Sequence, residues 1–154
     1  LIQISLKKNL KNITKYKPRL AHGDFFLENL IYYKKNIFVI DHQDLHYNHP
    51  YLDIASLIFD ARRQYSPKVE DRCIKEYAKK CNQPLKQTIY DIHLVSLARN
   101  LRILGNWINL YRSGKPQYLK KYRKATWTQI FKHVEYLRFW DLRELFEEVY
   151  KKTK

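Results

Sequence analysis

The spacing of apolar residues along the chain predicts a mostly helical fold. Near the N-terminus Leu6, Leu10 and Ile13 recur at helical spacing in a lysine-rich background, and Pro18 ends that pattern. Similar spacing recurs through most of the rest of the chain. The further predicted helices cover residues 52–64, 67–80 and 85–112, a segment from 116 past 127, and a final segment from 141 onward.

Helix-terminal signals support several of these boundaries. Ser66 followed by Pro67 is typical of a helix start, and Gly114 is typical of the position after a helix end. Asp141 with Glu144 predicts a capping box for the last helix.

Two short apolar runs predict a β-hairpin. The runs "NLIYY" (29–33) and "IFVI" (37–40) are rich in β-branched and aromatic residues and are separated by "KKN". A polar loop over residues 41–51 follows. We therefore predict an α+β, predominantly α-helical fold, with residues 1–154 forming a single domain that has one hairpin in its N-terminal third.

Composition and charge narrow the class of protein. The chain has 154 residues and is 45% hydrophobic, which suits one folded domain with a core. Its formal net charge of +15 favours anionic partners. Lysine-rich segments with tyrosines, at 7–17, 119–124 and 151–154, fit a nucleic-acid surface or solvated faces, and we favour solvated faces. No apolar stretch is long enough to span a membrane.

Cysteine usage and the absence of methionine bear on the origin of the chain. Cys73 and Cys81 share one predicted helix at a spacing that fits neither a zinc knuckle nor a redox pair, which favours a reducing cytoplasm. The sequence contains no Met and begins at Leu1 within an apolar-periodic run. We therefore expect a piece of a longer product, or a trimmed one.

A loop ahead of the hairpin carries the clearest chemistry. His22, Gly23 and Asp24 are followed after four residues by Asn29, and Asp41 ends the second predicted strand. Phosphoryl transfer needs a carboxylate near the accepting hydroxyl and oxygen ligands for Mg²⁺. The spacing matches that of the kinase catalytic loop and the kinase metal aspartate. A hairpin between the two loops would hold them at a constant separation.

Two other interpretations of this region stay open. His-x-Asp in a loop also occurs as a plain turn with a hydrogen-bonded histidine. The trio His42, His46 and His49, flanked by Asp41 and Asp44, permits a transition-metal site without specifying one.

Three segments of the chain resemble a known family. "HGDFFLENLIYY", "FVIDHQD" and "PYLDIASLIFDAR" are similar to the aminoglycoside phosphotransferase and choline kinase superfamily, whose loop typically reads H-G-D-x-x-x-x-N. Within it, "YLDIASLIFDA" and "ARNLRILGNWINLYRSGKPQYL" resemble a branch of bacterial kinases that phosphorylate the anomeric hydroxyl of N-acetylmuramate or N-acetylglucosamine. The resemblance covers about residues 19–119.

The resemblance implies an ATP- and Mg²⁺-dependent phosphotransferase that acts on a hydroxyl of an amino sugar. By position it implies Asp24 as the catalytic base, and Asn29 and Asp41 as the ligands of Mg²⁺ and hence of the nucleotide. His22 would brace the catalytic loop, and Asp53 would hold the backbone of that loop from the start of the next helix.

Candidate substrate-binding residues lie in two places. Asp44 is near the implied metal site. Arg99 and Arg102, with Asn106 and Trp107, lie within two turns of the long predicted helix and would line an acceptor pocket. The alternative, which we favour, is that Trp107 belongs to the apolar stripe of the core while both arginines face water.

The resemblance also implies a second lobe. Kinases of this type hold ATP under a glycine-rich loop and pair its phosphates with a strand lysine, whereas the three glycines here are scattered at 23, 105 and 114. We expect this chain to be the C-terminal lobe of a protein-kinase-like fold, whose hairpin carries the catalytic and metal loops. Missing sequence or another chain would supply the N-terminal nucleotide-binding lobe. The alternatives are a non-catalytic pseudokinase scaffold and a basic nucleic-acid-binding protein.

Overall fold

The computed structural model describes residues 2–152, without the side chains of residues 2–5, 12 and 14, so the lysine-rich tail at 151–154 lies partly outside the described residues. Most of the chain is helical, which confirms the predominantly helical character. The elements in chain order are α1 (Ile2–Leu10), a 3₁₀ helix (Lys11–Lys15), β1 (Arg19–Ala21), a second 3₁₀ helix (Leu27–Asn29), β2 (Leu30–Tyr33), β3 (Asn36–Val39), β4 (His46–Asn48), α2 (Leu52–Ile58), α3 (Pro67–Lys80), α4 (Leu85–Arg112), α5 (Gln117–Leu137) and α6 (Trp140–Lys152).

Strands β2 and β3 form an antiparallel hairpin in which Leu30 pairs with Val39. The two residues between them, Lys34 and Lys35, have φ values of 47° and 64°. Two consecutive positive φ values are typical of the tight hairpin turn whose twist matches that of the strands. The two strands are therefore joined by a two-residue turn. At the opposite end of the hairpin, where Leu30 pairs with Val39, the chain continues into the loop before β2 and the loop after β3.

A second strand pair was not predicted from the sequence. β1 pairs antiparallel with β4, with Leu20 opposite Tyr47. Each strand has only three residues, too few to show the alternation on which strand prediction depends. The pairing brings the chain just before His22 against the loop that follows Asp41.

Helix α4 runs between two hydrophobic clusters. Ile92 and Val95 belong to a cluster with α2 and α3, while Leu97 and Leu104 belong to a cluster with α5 and α6. Ile92 and Leu97 are fully buried, and burial of such a side chain stabilises the fold by roughly 1.5–3 kcal/mol. One long helix thus belongs to both halves of the core.

The helix predicted over residues 52–64 is wrong in its second half, because α2 ends at Ile58. The buried Asp60 accepts a hydrogen bond from the backbone N–H of Arg62 at 3.0 Å and pairs with the guanidinium of Arg62. Polar side chains of α4 and α5 donate to carbonyl groups of the non-helical segment: Asn100 to Phe59 at 3.2 Å, Thr126 to Ala61 at 3.0 Å and Gln129 to Arg63 at 3.0 Å. These distant partners replace the helical hydrogen bonds that local periodicity had predicted.

The other helix boundaries agree with the sequence signals except at α6. Pro67 occupies the first position of α3, and Gly114, with a φ of 84°, follows the end of α4. The capping box is wrong, because Asp141 lies inside the first turn of α6 and its carboxylate accepts a hydrogen bond from Asn9 at 3.1 Å. The backbone N–H groups of Leu142 and Arg143 donate to the carbonyl of Phe139, so the helix begins before Asp141.

Two further expectations bear on thiols and membranes. Cys73 is half-buried, Cys81 is exposed, and both are free thiols. Among residues 2–152, no helix combines the length and the apolar character required to cross a membrane.

Candidate active site

Asp53 anchors the loop that carries the His-Gly-Asp motif. Its two carboxylate oxygens accept hydrogen bonds from the backbone N–H groups of His22, at 2.8 Å, and Gly23, at 3.0 Å. Asp53 lies in the first turn of α2, so a rigid element holds the acceptor. These are the contacts that the predicted role of Asp53 requires.

Gly23 is needed at its position for two reasons. Its φ is 86°, in the left-handed region that side-chain-bearing residues rarely adopt. A Cβ atom there would also lie 2.7 Å from Cε1 of His46. The sharp turn at Gly23 directs the chain from the bonds to Asp53 into the exposed Asp24.

His22 connects this loop to the end of the hairpin. Its side chain is buried, and ring atom Nε2 lies 2.9 Å from the carbonyl oxygen of Ile40. A carbonyl can only accept a hydrogen bond, so Nε2 carries the proton and Nδ1 does not, if the ring is neutral. Ile40 in turn donates its backbone N–H to the carbonyl of Asn29 at 3.0 Å. His22 therefore braces the residue directly before Asp41.

The buried side chain of Asn29 connects the two loops. Its amide nitrogen donates to the backbone carbonyl of Asp24 at 2.9 Å and lies 3.4 Å from a carboxylate oxygen of Asp41. The side chains of Asp24 and Asp41 are both exposed. Asp41 has a φ of 65°, and its second carboxylate oxygen accepts a hydrogen bond from Gln43 at 2.8 Å, a contact that the sequence analysis missed.

The oxygen atoms of this cluster fit Mg²⁺. The amide nitrogen of Asn29 contacts both Asp24 and Asp41. The amide oxygen is therefore the side-chain atom of Asn29 that could bind a cation. Mg²⁺ prefers oxygen ligands and commonly takes one or two from the protein, with water and substrate phosphates completing the shell. Asn29 and Asp41 would be those two ligands.

The alternative transition-metal site does not form. Within residues 2–152, no group of three or more His, Cys, Asp or Glu side chains is arranged to hold a metal ion. His46 contacts the carbonyl oxygen of Asp44 at 2.8 Å, whereas His49 accepts the backbone N–H of Tyr51 at 3.2 Å. Burial lowers the pKa of His49, which packs against aromatic rings.

Two arginines after α2 contact the segment between Asp24 and Asn29, and the sequence carried no signal for either contact. The guanidinium of Arg62 lies 3.8 Å from the ring centre of Phe26. Arg63 forms an ion pair with Glu28 at 2.6 Å and lowers the pKa of the Glu28 carboxyl. The segment between Asp24 and Asn29 is therefore held from the α2–α3 connection as well as from Asp53.

A cavity of about 500 Å³ lies between α4 and the segments that flank β1 and β4. Its wall includes Tyr16, Tyr47, His49, Arg99 and Arg102. Tyr47 and His49 follow Asp41 along the chain by only a few residues. None of His22, Asp24, Asn29 and Asp41 lines the cavity, and its link to the motif is Arg99, on whose guanidinium the charge of Asp24 acts. On that link the cavity is the candidate acceptor site.

The expectation that Arg99 and Arg102 both face water is wrong for Arg99, which is only 4% exposed. Burial lowers the pKa of its guanidinium to about 10, and the charges of Asp60 and Asp24 partly oppose this effect. Arg102 is exposed and lines the same cavity. Arg99 is thus close enough to the motif for the charge of Asp24 to act on it.

Other candidates for the acceptor pocket lie elsewhere. Trp107 is buried against the rings of Tyr118 and Tyr122, as expected for a core residue, and Asn106 is exposed. Neither residue lines the cavity. Asp44 is exposed, and its backbone carbonyl rather than its carboxylate makes the contact with His46.

Comparison with known proteins agrees with this geometry. The sequence profile of the phosphotransferase enzyme family matches residues 4–86, which include every motif residue from His22 to Asp53. The chain therefore belongs to the phosphotransferase enzyme family, which confirms the resemblance noted in the sequence. The chain is also similar to N-acetylmuramate/N-acetylglucosamine kinase of Caulobacter vibrioides, with 33% identity over 106 residues. That match covers 64% of this chain and 29% of the relative, so the chain spans less than a third of that kinase.

Proposed function

We propose that this chain is the acceptor- and metal-binding lobe of an ATP-dependent small-molecule kinase. The observation that carries the proposal is the position of Asn29, whose amide contacts the backbone of Asp24 and the carboxylate of Asp41. This contact sets a candidate base and a candidate metal ligand side by side at the protein surface. Such an arrangement is what phosphoryl transfer requires, since its catalysis is mostly positioning and charge stabilisation.

Each residue of the cluster has a distinct role in this proposal. Asp24 accepts the proton of the acceptor hydroxyl as that oxygen attacks the γ-phosphoryl group. Asn29 and Asp41 hold Mg²⁺, which when bound neutralises charge on the phosphates of ATP. His22 and Asp53 position the loop through the contacts to Ile40 and to the loop backbone, and touch neither substrate.

The nucleotide also needs a cover, which we propose is an N-terminal lobe in further sequence or another chain. The exposed apolar surface of the hairpin supports this: Ile31 is 46%, Tyr32 72%, Ile37 66% and Phe38 51% exposed. A two-stranded hairpin with so little burial is only marginally stable by itself. Contact with a second lobe and with ATP would cover part of this surface.

The acceptor we propose is an amino sugar, and the site of action is the cytoplasm. The similarity to a kinase named for N-acetylmuramate and N-acetylglucosamine supports the acceptor class. The cavity against α4 is large enough for a sugar, and Arg99 and Arg102 lie in its wall. Use of ATP and the free thiols of Cys73 and Cys81 support a cytoplasmic location.

The proposal is tested by Asp24→Asn in the complete gene product, assayed for phosphate transfer from Mg²⁺-ATP to amino sugars. Loss of the base should reduce kcat by about a hundredfold to ten-thousandfold, with little change in thermal stability because the Asp24 side chain is exposed. The matched control is Asp71→Asn on α3, where the carboxylate is exposed and pairs with Lys75.

Equal turnover in Asp24→Asn and the wild-type protein would remove Asp24 from the mechanism. A wild-type protein that binds Mg²⁺-ATP but transfers no phosphate would favour the pseudokinase scaffold. Steeply salt-dependent binding of a polyanion without any nucleotide binding would favour the nucleic-acid alternative.

A further inference from the structure

A second cavity, of about 410 Å³, lies between α4 and α5. The lining residues recur at helical spacing on each helix, so one face of α4 and one face of α5 form the wall. No residue of this wall belongs to the His-Gly-Asp motif or to the wall of the cavity that contains Arg99. The proposed kinase function therefore leaves this cavity unexplained.

The inner wall of the α4–α5 cavity is apolar. Leu104 and Trp127 are buried, and Ile108 and Leu119 are half-buried beside them. Protein interiors are packed about as closely as organic crystals, so an apolar space of this size is larger than close packing of two helices leaves. Ligand cavities have volumes of roughly 300–1,000 Å³ and mostly apolar walls. The volume and the lining therefore fit the apolar body of a small ligand.

Two positive charges lie at the mouth of the cavity. Arg112 and Lys120 line it and are exposed, whereas its inner wall is buried or half-buried. Long cationic side chains lay their stems along apolar surface and keep their charged ends in water, which places both charges at the mouth. Within the part of the chain that the structure describes, neither residue forms an ion pair. Both charges are thus available to an anionic group.

The third cation of the lining, Arg123, already has a partner. Its Nη2 donates to the backbone carbonyl of Tyr150 at 2.6 Å, and its guanidinium lies 4.3 Å from the ring centre of Tyr150. The described lining contains no acidic residue. An anionic group at the mouth would therefore meet Arg112 and Lys120 and no carboxylate of the wall, whereas a cationic group would be repelled.

We propose that the α4–α5 cavity binds an amphipathic carboxylate of the medium-chain fatty acid class. The alkyl chain lies against Leu104 and Trp127, and the carboxylate contacts Arg112 and Lys120. Burial of the chain supplies affinity, and the charges select the end group. A sugar fits poorly, because the indole N–H of Trp127 is the only polar side-chain group among the four residues of the inner wall, and buried hydroxyls without partners are costly.

The test is binding of octanoate, octanol and octylammonium to the complete gene product by isothermal titration calorimetry at neutral pH. The three ligands share one chain length and carry negative, zero and positive charge. The Kd of octanoate should be about tenfold lower than that of octanol, as for one charge-assisted contact, and octylammonium should bind most weakly. Hexanoate, which has two fewer methylene groups, should bind about tenfold more weakly than octanoate.

Substitutions at the mouth show whether this cavity binds the carboxylate. Arg112→Gln combined with Lys120→Gln should reduce the ratio of octanoate to octanol affinity by about tenfold and leave the affinity for octanol unchanged. The matched control is Lys79→Gln combined with Lys80→Gln, which removes the same charge from exposed positions in the last turn of α3. This control should keep the preference for octanoate.

Bromine quenching locates the alkyl chain of the ligand. Trp127 lines the cavity, so octanoate with a terminal bromine should quench tryptophan fluorescence, and Trp127→Phe should remove most of that quenching. Trp140→Phe, at an exposed tryptophan outside the lining, should leave the quenching in place. Thermal unfolding checks the fold of each variant. If Trp127→Phe does not fold, the substitutions of the exposed Arg112 and Lys120 decide the result.

Failure of octanoate to bind at about 10 mM would overturn the inference, as would equal affinity for octanoate and octanol. A preference for octanoate that survives the combined substitution of Arg112 and Lys120 would also overturn it, because the carboxylate would then bind elsewhere. The inference goes beyond the proposed function and does not depend on it, since the binding experiment uses neither nucleotide nor acceptor.

Discussion

Removal of the Asp53 carboxylate should loosen the loop that carries the His-Gly-Asp motif and destabilise the fold. In the native protein its oxygens accept hydrogen bonds from the N–H groups of His22 at 2.8 Å and Gly23 at 3.0 Å. Asp53→Ala removes both acceptors and leaves two N–H groups of buried residues without partners. Asp53→Asn keeps one side-chain oxygen and loses the negative charge.

The expected magnitude follows from the kind of bond and its exposure. A hydrogen bond to a charged group contributes about 1.5–3 kcal/mol, and each N–H left unsatisfied adds to the loss. Asp53 is only half-buried, so water can reach part of the vacated site. We therefore expect Asp53→Ala to lower the free energy of unfolding by about 2–4 kcal/mol, and Asp53→Asn by about 1–2 kcal/mol.

Urea unfolding followed by circular dichroism measures both losses, and amide hydrogen exchange at His22 and Gly23 reports on the loop itself. The control is Asp71→Ala, which removes an exposed carboxylate whose pairing with Lys75 is worth at most about 1 kcal/mol. If Asp53→Ala lowers stability no more than Asp71→Ala, or leaves exchange at the two amides unchanged, the anchoring role of Asp53 is refuted.

Two further predictions concern Gly23 and the buried histidines. Gly23→Ala should lower the free energy of unfolding by about 1–3 kcal/mol, because the new Cβ would lie 2.7 Å from Cε1 of His46 and the backbone φ of 86° is strained for alanine. The control is Gly105→Ala, in a helix with open space around its Cβ, which should be neutral or stabilising. Equal effects of the two substitutions in urea unfolding would contradict this account. Burial lowers the pKa of His93 to about 3 from its ordinary 6.5 and lowers that of His133 too, so both rings are neutral in the fold and take up protons in the unfolded chain as the pH falls below 6.5. Stability should therefore fall with decreasing pH by up to about 1.4 kcal/mol per pH unit for each ring, and a slope in urea unfolding that His133→Gln does not reduce would exclude His133 as a source.

Sequence reasoning predicted the neighbourhood of the candidate site well, because its parts are close along the chain. The predicted hairpin separates Asn29 from Asp41, and four residues separate Asp24 from Asn29. Their spacing along the chain therefore favours the contacts that the structure shows. Pro67 and Gly114 likewise mark helix ends through backbone preferences that act locally. The catalytic and metal-binding roles of these residues stay predictions until they are measured.

The sequence by itself determined the predominantly helical character, the hairpin and the motif, since periodicity, turn residues and spacing act over a few residues. Only the tertiary structure decided that α2 ends at Ile58, because the donors that replace its helical hydrogen bonds come from α4 and α5. The same holds for the burial of Arg99, which polar patterning assigned to solvent. Whether an arginine on a helix meets water or a cavity depends on which elements pack against that face, and those elements lie far away in the sequence.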